Sequence, residues 1–356
     1  MSQRQIMRAV VIHRHGGPEV LKLEASWPRP VPGPGEILVK VGACGLNYLD
    51  IFARNGMPGE EVPLPLITGG DISGTVVAHG QNVTSPALGT PVVLDPNWGC
   101  GACEYCHDGL QLSCLSGHML GERDDGGLAE FVKCPATQAI PMPPEYKFEE
   151  AAALPITFGT AYRMVITRGQ VRPDDVVVIL GAGGGVGIAA LQLAKLVGAR
   201  VIDTASTEKK LECARKLGAD YLVNYVTDKE WDQTIRKITA KRGADVVIES
   251  VGAASWEKSI RCLGKGGRLV TCGATSGPMA TTDIRYVFRR ELNIIGSDGW
   301  THNELRRVIG LAFQRKLAPV IHSVLPLEKI AEAEQLLEDR AVFGKVIITP
   351  GAPDAA

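Results

Sequence analysis

One stretch constrains the fold more than any other: "DDVVVILGAGGGVGIAALQLAKLVGARVIDTAS", residues 174–206. It reads as an apolar strand, a glycine turn, an amphipathic helix and a second apolar strand. Two strands joined through a helix lie parallel in one sheet. The same grammar then repeats. "TEKKLECARKLGA", "DYLVNY", "WDQTIRKITAKRG", "ADVVIESVG", "SWEKSIRCLGKG" and "GRLVTCG" alternate helix and strand. The prediction is an α/β fold built on a doubly wound parallel sheet.

The first 150 residues follow a different rule. "MRAVVIH", "EILVKVGACG" and "SGTVVAHG" are short strand-like runs, parted by "RPVPGPGE", "EVPLPLITGG" and "TSPALGTP". Proline and glycine punctuate them, as in a β-rich domain. A helical segment opens at Glu149 and Glu150 and is interrupted by Pro155. The tail adds "LNIIGS", two helices and a last strand, "GKVIITP". At 356 residues, two domains are expected.

Bulk properties exclude several classes. A net charge of −1 leaves no electrostatic footprint for nucleic acid or an anionic membrane. The most apolar long stretch, Val176–Ala194, holds five glycines and breaks into strand, turn and helix, so it is not a membrane span. The N-terminal "MSQRQIMRAVVIHRHGG" lacks an apolar core of signal-peptide length. Four of the nine cysteines fall within fifteen residues, which favours reduced thiols and a metal over disulfides. The expected location is the cytoplasm.

Chemistry enters at the glycine turn, Gly181-Ala-Gly183-Gly184-Gly185-Val186-Gly187. Set between a strand and a helix, such a turn brings backbone N–H groups close to a pyrophosphate at the helix N-terminus. Where the second strand ends, an acidic residue would select NAD by binding its ribose hydroxyls. Here Ser206 and Thr207 stand at that point with Lys209 and Lys210 just beyond, a set suited to the 2′-phosphate of NADP(H). Asp203 lies earlier, inside the strand. Lys209 equally fits a solvated helix face.

The second chemical feature is "NWGCGACEYCHDGLQLSC", residues 97–114. Cys100, Cys103, Cys106 and Cys114 have the spacing of a metal site. Four thiolates close a tetrahedral shell and leave no coordination position for a substrate. The ion shapes the loop and does no chemistry.

A β-rich first half, a four-cysteine lobe, a nucleotide-binding segment and a returning tail together resemble the medium-chain dehydrogenase/reductase superfamily. "GAGGGVGIAALQLAKLVGARVI", "GLNYLDIFARNG", "LPITFGTAYRMV" and "GGRLVTCGATSG" resemble its quinone oxidoreductase branch most. The resemblance covers nearly the whole chain. It implies a GroES-like catalytic domain from residues 1–156 and 299–356, carrying the zinc lobe near 97–118, and a Rossmann domain over 157–298. It implies a substrate cleft between the domains and a homodimer or homotetramer. It also implies that Lys210 holds the 2′-phosphate, that Tyr225 lies beside the adenine ribose, and that Lys345 reaches the cofactor phosphates from the tail. Gly273, Ala274, Thr275, Gly296 and Ser297 follow strand ends and are expected at the nicotinamide, because ligands bind outside carboxyl ends of strands. Thr160 and Ser250 complete the expected cofactor set.

Zinc alcohol dehydrogenases of this superfamily carry a second, catalytic zinc on Cys, His and Cys. Matched to those positions, this chain has Asn47, Gly70 and Ile156, while Leu49 and Phe52 replace the proton relay. Asp50 and Asp71 survive, but two carboxylates without His or Cys make a poor zinc site. Cys44 falls three residues too early and reads as a small buried residue.

Without a Lewis acid, oxidation of a plain alcohol loses its route to an alkoxide. NADPH can still reduce an already electrophilic carbon, in a quinone or an activated alkene or enone. Asn47 is the expected donor to the developing oxyanion and Tyr48 the expected proton source or second donor; Asp71 is expected to anchor backbone N–H groups nearby. Asn47 as a helix cap and Tyr48 as packing are the plainer alternatives. Two rival functions stay open: an alcohol dehydrogenase with an unconventional metal site, and an NADPH-binding sensor or structural protein without turnover.

Overall fold

The structure is a computed structural model and describes residues 5–57, 59 and 61–351. Residues 1–4 and 352–356, the extremes of the expected catalytic domain, lie outside the described residues. The chain divides into two compact units. One comprises Met1–Ile156, Thr301–Phe313 and Ala318–Ala356; the other comprises Thr157–Trp300 and Gln314–Leu317.

The first unit is built on a seven-stranded sheet. Its order runs Ile321–Pro326, Lys345–Thr349, Glu36–Gly45, Asp71–His79, Pro91–Leu94 and Ala139–Pro141, and Phe131–Pro135 also pairs with Glu36–Gly45. Most pairings are antiparallel; the two C-terminal strands run parallel to each other. Ile37, Val39, Val41, Ile72, Val76, Val92 and Val346 point into one apolar core. Helix Ile330–Glu338 joins this core through Ile330, Ala333 and Leu337.

A buried ion pair fastens the same helix to helix Tyr48–Asn55. Arg54, 1% exposed, donates to Glu334, which is fully buried, and to Glu338 at 2.6 Å. Burial pushes the Glu334 carboxyl up to about 7, against the pull of Arg54.

The second unit is a six-stranded sheet, parallel throughout, in the order Tyr221–Asn224, Arg200–Ala205, Val176–Leu180, Ala244–Glu249, Leu263–Thr271, Asn293–Gly296. In chain order this is 3-2-1-4-5-6, and the winding reverses between Val176–Leu180 and Ala244–Glu249. Val176–Leu180 is buried along its whole length, as a central strand covered on both faces must be. Among the described residues no helix is long and apolar enough to cross a membrane.

Candidate functional site

Three places bring chemistry-bearing residues together. In the lobe, the paired strands Asn97–Trp98 and His118–Met119 close the base, with the Trp98 and His118 rings stacked 5.3 Å apart. Gly101 and Gly109 take positive φ angles of 75° and 72°, which favour glycine. A Cβ on Gly99 would stand 2.4 Å from Cys106 Sγ. The sequence thus bends tightly enough for Cys100, Cys103, Cys106 and Cys114 to gather all four Sγ atoms within 4.8 Å of one another. Cys103 Sγ lies 3.5 Å from Cys106 Sγ and 3.7 Å from Cys114 Sγ. Tetrahedral zinc with Zn–S bonds of about 2.3 Å has S···S edges of about 3.8 Å, so the thiols fit the ion. His118 bonds Asp124 at 2.9 Å and, like His107, lies outside this cluster.

The second place is a buried polar cluster in the same unit. Register builds it: Gly45 pairs with Asp71 on one side and with Ile347 on the other. Asn47, Asp71 and Lys345 therefore converge at the end of Glu36–Gly45. A side chain at Gly45 would strike the Ala152 carbonyl at 2.2 Å and Lys345 Cε at 3.2 Å. Lys345 Nζ donates to Asn47 Oδ1 at 2.7 Å and to Asp71 Oδ2 at 2.8 Å. Asn47 Nδ2 donates to Asp71 Oδ2 at 2.9 Å and to the Gly45 carbonyl at 3.3 Å. Asp71 Oδ1 accepts from the Ile156 N–H at 2.7 Å. Exposures of 8%, 0% and 4% for Asn47, Asp71 and Lys345 mean that the amide and the two charged groups depend on these partners.

Asp50 completes the cluster by accepting the Asn47 N–H at 2.7 Å and the Gly69 N–H at 3.0 Å. Burial pushes its carboxyl up to about 6, although those N–H groups and the Lys345 charge pull down. Cys44 is fully buried beside it, and burial raises its thiol well above the ordinary range. At Gly70, a Cβ would meet Ile156 Cδ1 at 2.9 Å and the Leu120 carbonyl at 3.0 Å, so no larger side chain fits there without displacement.

The hydrogen bonds around Asn47, Tyr48 and Lys345 are these. Both amide hydrogens of Asn47 are donated within the cluster, to the Gly45 carbonyl and to Asp71. The Tyr48 hydroxyl donates to the Leu337 carbonyl at 2.7 Å and ties two helices together. Asn47 and Asp71 take two of the three hydrogens of the Lys345 ammonium. Asp71 accepts the N–H of Ile156.

The third place is the carboxyl edge of the parallel sheet. Gly181 follows the first strand with φ of 85°, and open space surrounds its would-be Cβ. Helix Gly185–Val197 starts at once, and Ile188 makes its first intrahelical bond, to Gly184, at 3.0 Å. Gly185, Val186 and Gly187 precede that bond and supply the helix-start N–H groups that a pyrophosphate accepts. A Cβ on Gly187 would stand 2.4 Å from the Gly181 carbonyl, so loop and helix approach only through glycine. These features fit a dinucleotide.

The remaining residues of the expected set fall at neighbouring strand ends. Ser206 and Thr207 follow Arg200–Ala205, and Thr207 caps helix Glu208–Lys216 by accepting the Lys210 N–H at 3.3 Å. Tyr225 joins them because its N–H donates to the Ala205 carbonyl at 3.2 Å. Asp203 is fully buried in mid-strand, back from the strand tip, where burial holds its carboxyl well above the usual range. Ser250, then Gly273, Ala274 and Thr275, then Ser297 follow the fourth, fifth and sixth strands in chain order, and Gly296 ends the sixth. Ser297 is 7% exposed, and its Oγ has no hydrogen-bond partner among the described residues, as a waiting ligand contact would. Thr160 lies in helix Pro155–Tyr162. One residue went unnoticed in the sequence: Glu249, whose buried carboxylate collects five hydrogen bonds.

Comparison with known proteins follows the same division. Residues 33–144 match the alcohol dehydrogenase GroES-like domain and residues 185–314 match the zinc-binding dehydrogenase family. The chain is 31% identical to acryloyl-coenzyme A reductase of Sulfurisphaera tokodaii, over 97% of this chain and 100% of that protein. It is 30% identical to human quinone oxidoreductase, over 97% and 98% of the two. Among solved structures, one described as an NAD-dependent alcohol dehydrogenase superposes with a TM-score of 0.93 at 45% identity, covering 97% of this chain and all of that one.

Proposed function

The chain belongs to the medium-chain dehydrogenase/reductase superfamily and is an oxidoreductase, and from that premise we propose an NADPH-dependent reductase of quinones or activated alkenes that works without a catalytic zinc. The observation that carries this reading is the Lys345–Asp71 pair. It sits beside the residues that the sequence matches to catalytic zinc ligands, and those positions hold an amide, a glycine and an isoleucine. A cluster already neutralised by an ammonium is a poor host for a divalent cation.

Bound nicotinamide supplies the hydride. The chain's own task is to orient the acceptor, exclude water and stabilise the oxyanion left when the carbon accepts that hydride. An ammonium has three hydrogens, and Asn47 and Asp71 take two from Lys345. We assign the third to the acceptor's oxygen, with Asn47 and Asp71 fixing the direction of the bond. The names quinone oxidoreductase and acryloyl-coenzyme A reductase among the relatives support an electrophilic acceptor. The preference for NADP(H) rests on Ser206, Thr207 and Lys210, with Asp203 buried back from the strand tip. The intact thiol lobe, with one structural zinc, agrees with a reducing compartment, and we place the protein in the cytoplasm.

NADPH oxidation with a panel of quinones and enones tests the reading; turnover of simple alcohols with NAD, and none of the panel, would overturn it. The Lys210→Ala variant should weaken NADPH at least tenfold more than NADH, and equal losses would remove Lys210 from the phosphate site. A second reading, an alcohol dehydrogenase, is favoured by the solved structure at 45% identity. Metal analysis separates the two, at one zinc per chain against two. We also propose a homo-oligomer paired through the second unit. Among the described residues Asn293–Gly296 pairs on one side only, and its Ile294 is exposed, as are Ile284 and Phe288 in the helix just before it. Open apolar edges invite a second strand, which sedimentation equilibrium would detect.

A further inference from the structure

Glu249 ends the strand Ala244–Glu249 with no exposure and, among the described residues, no cation paired to it. Neutral donors hold it instead. Oε1 accepts the Val251 N–H at 2.6 Å, the Gly252 N–H at 3.1 Å and the Ser255 hydroxyl at 3.0 Å. Oε2 accepts from Ser255 at 2.9 Å and Ser259 at 2.6 Å. The carboxylate thereby curls residues 250–255 around itself.

A second loop hangs on the first. The Ser276 N–H and hydroxyl both donate to the Val251 carbonyl, at 2.7 and 2.6 Å. Ala253 N–H donates to the Gly277 carbonyl at 3.0 Å, and the Thr275 hydroxyl to the Ser250 carbonyl at 3.3 Å. Gly252 has φ of 87°, and a Cβ there would press on Ala274 Cα and the Gly277 carbonyl, each at 2.8 Å. Ala274 and Thr275 are exposed, so polar bonds more than apolar burial set this pair of loops.

Strand order says what the loops face. The adenosine side of a dinucleotide lies over the second strand and the pyrophosphate over the first, leaving the nicotinamide side to the fourth, fifth and sixth. We infer that Glu249 is a positioning residue for the nicotinamide end of the cofactor: it holds both loops, and through them Ser250 and Gly273–Thr275, at the height that end requires. The inference rests on the dinucleotide-binding reading above.

The test compares NADPH with 2′-phospho-ADP-ribose, which lacks only the nicotinamide, by direct titration of the full-length protein. Wild-type binding comes first; if NADPH does not bind, the dinucleotide reading falls and this inference with it. With wild-type binding in hand, the variants bear on Glu249 alone. Glu249→Leu leaves two buried N–H groups without acceptors and should weaken NADPH by roughly thirtyfold. Binding of 2′-phospho-ADP-ribose should stay within about threefold, and Glu249→Gln, whose carbonyl oxygen can still accept both N–H groups, should restore NADPH to within about threefold. Gly252→Ala disturbs the same lacing with Glu249 in place and should give the same nicotinamide-selective loss, which keeps the test alive if Glu249→Leu does not fold. Equal losses for both ligands, or unaltered NADPH binding in a folded Glu249→Leu or Gly252→Ala, would overturn the inference.

Discussion

The thiol lobe and the Lys345 cluster occupy one unit and solve opposite electrostatic problems. In the lobe, four sulfurs converge from an eighteen-residue stretch, partly open to solvent, with no protein cation among them. In the cluster, Asp71 meets a lysine 274 residues away, and both are buried. The first arrangement is incomplete until an ion joins it. The second carries its cation in the chain, so its charge cannot leave with a chelator and cannot act as a divalent Lewis acid. The contrast teaches that a polar cluster calls for a metal when its donors are all of one sign, and resists one when a fixed ammonium has already balanced them.

The largest effect expected from breaking this contrast is on the lobe. Cys103→Ser should take zinc from one per chain to almost none and loosen residues 97–118, because a structural zinc in a small site contributes on the order of 10 kcal/mol. The purified variant should keep part of its turnover, read by metal analysis beside a quinone assay. Complete loss of turnover in a folded variant would make the lobe part of the chemistry.

Next comes the cluster. Lys345→Met leaves Asp71 buried without its cation, so urea unfolding should show a loss of about 3–5 kcal/mol. Zinc content should hold at one per chain while kcat falls a hundredfold or more. A stability change under about 1 kcal/mol would mean that Asp71 is not paired in solution.

A smaller effect should follow pH. Asp50 has a folded value of about 6 against 3.8 for the free group, so the folded protein binds the extra proton between them. Its contribution is full below pH 3.8 and is lost as pH rises through 6, amounting to on the order of 3 kcal/mol. The difference in unfolding free energy between wild type and Asp50→Asn should therefore drift across that window and be flat above pH 7.5. A flat difference throughout would mean that Asp50 titrates normally. The smallest change is Tyr48→Phe, which removes one bond to Leu337 and should cost about 1 kcal/mol with kcat within twofold. A hundredfold fall in kcat would return Tyr48 to the chemistry.

How much could be read in advance follows the range of each interaction. The parallel sheet was legible because strand and helix periods alternate within about thirty residues, and the glycine turn and cysteine lobe because their spacing is local. Lys345 against Asp71, and Tyr48 against Leu337, were illegible. Those partners meet through sheet register and helix packing, and no local pattern encodes which distant residue arrives opposite. Glu249 escaped for another reason: an acidic residue closing an apolar strand looks like a solvated end until its donors are seen.

The strand Lys345–Thr349, wedged between Ile321–Pro326 and Glu36–Gly45, also sets an order of events during synthesis. On the ribosome, residues 157–300 can complete their parallel sheet while the first unit still lacks a central strand. Until residue 345 emerges, Asp71 has no lysine beside it. The strand Glu36–Gly45, made early, lacks one of its sheet neighbours until residues 345–349 have been made.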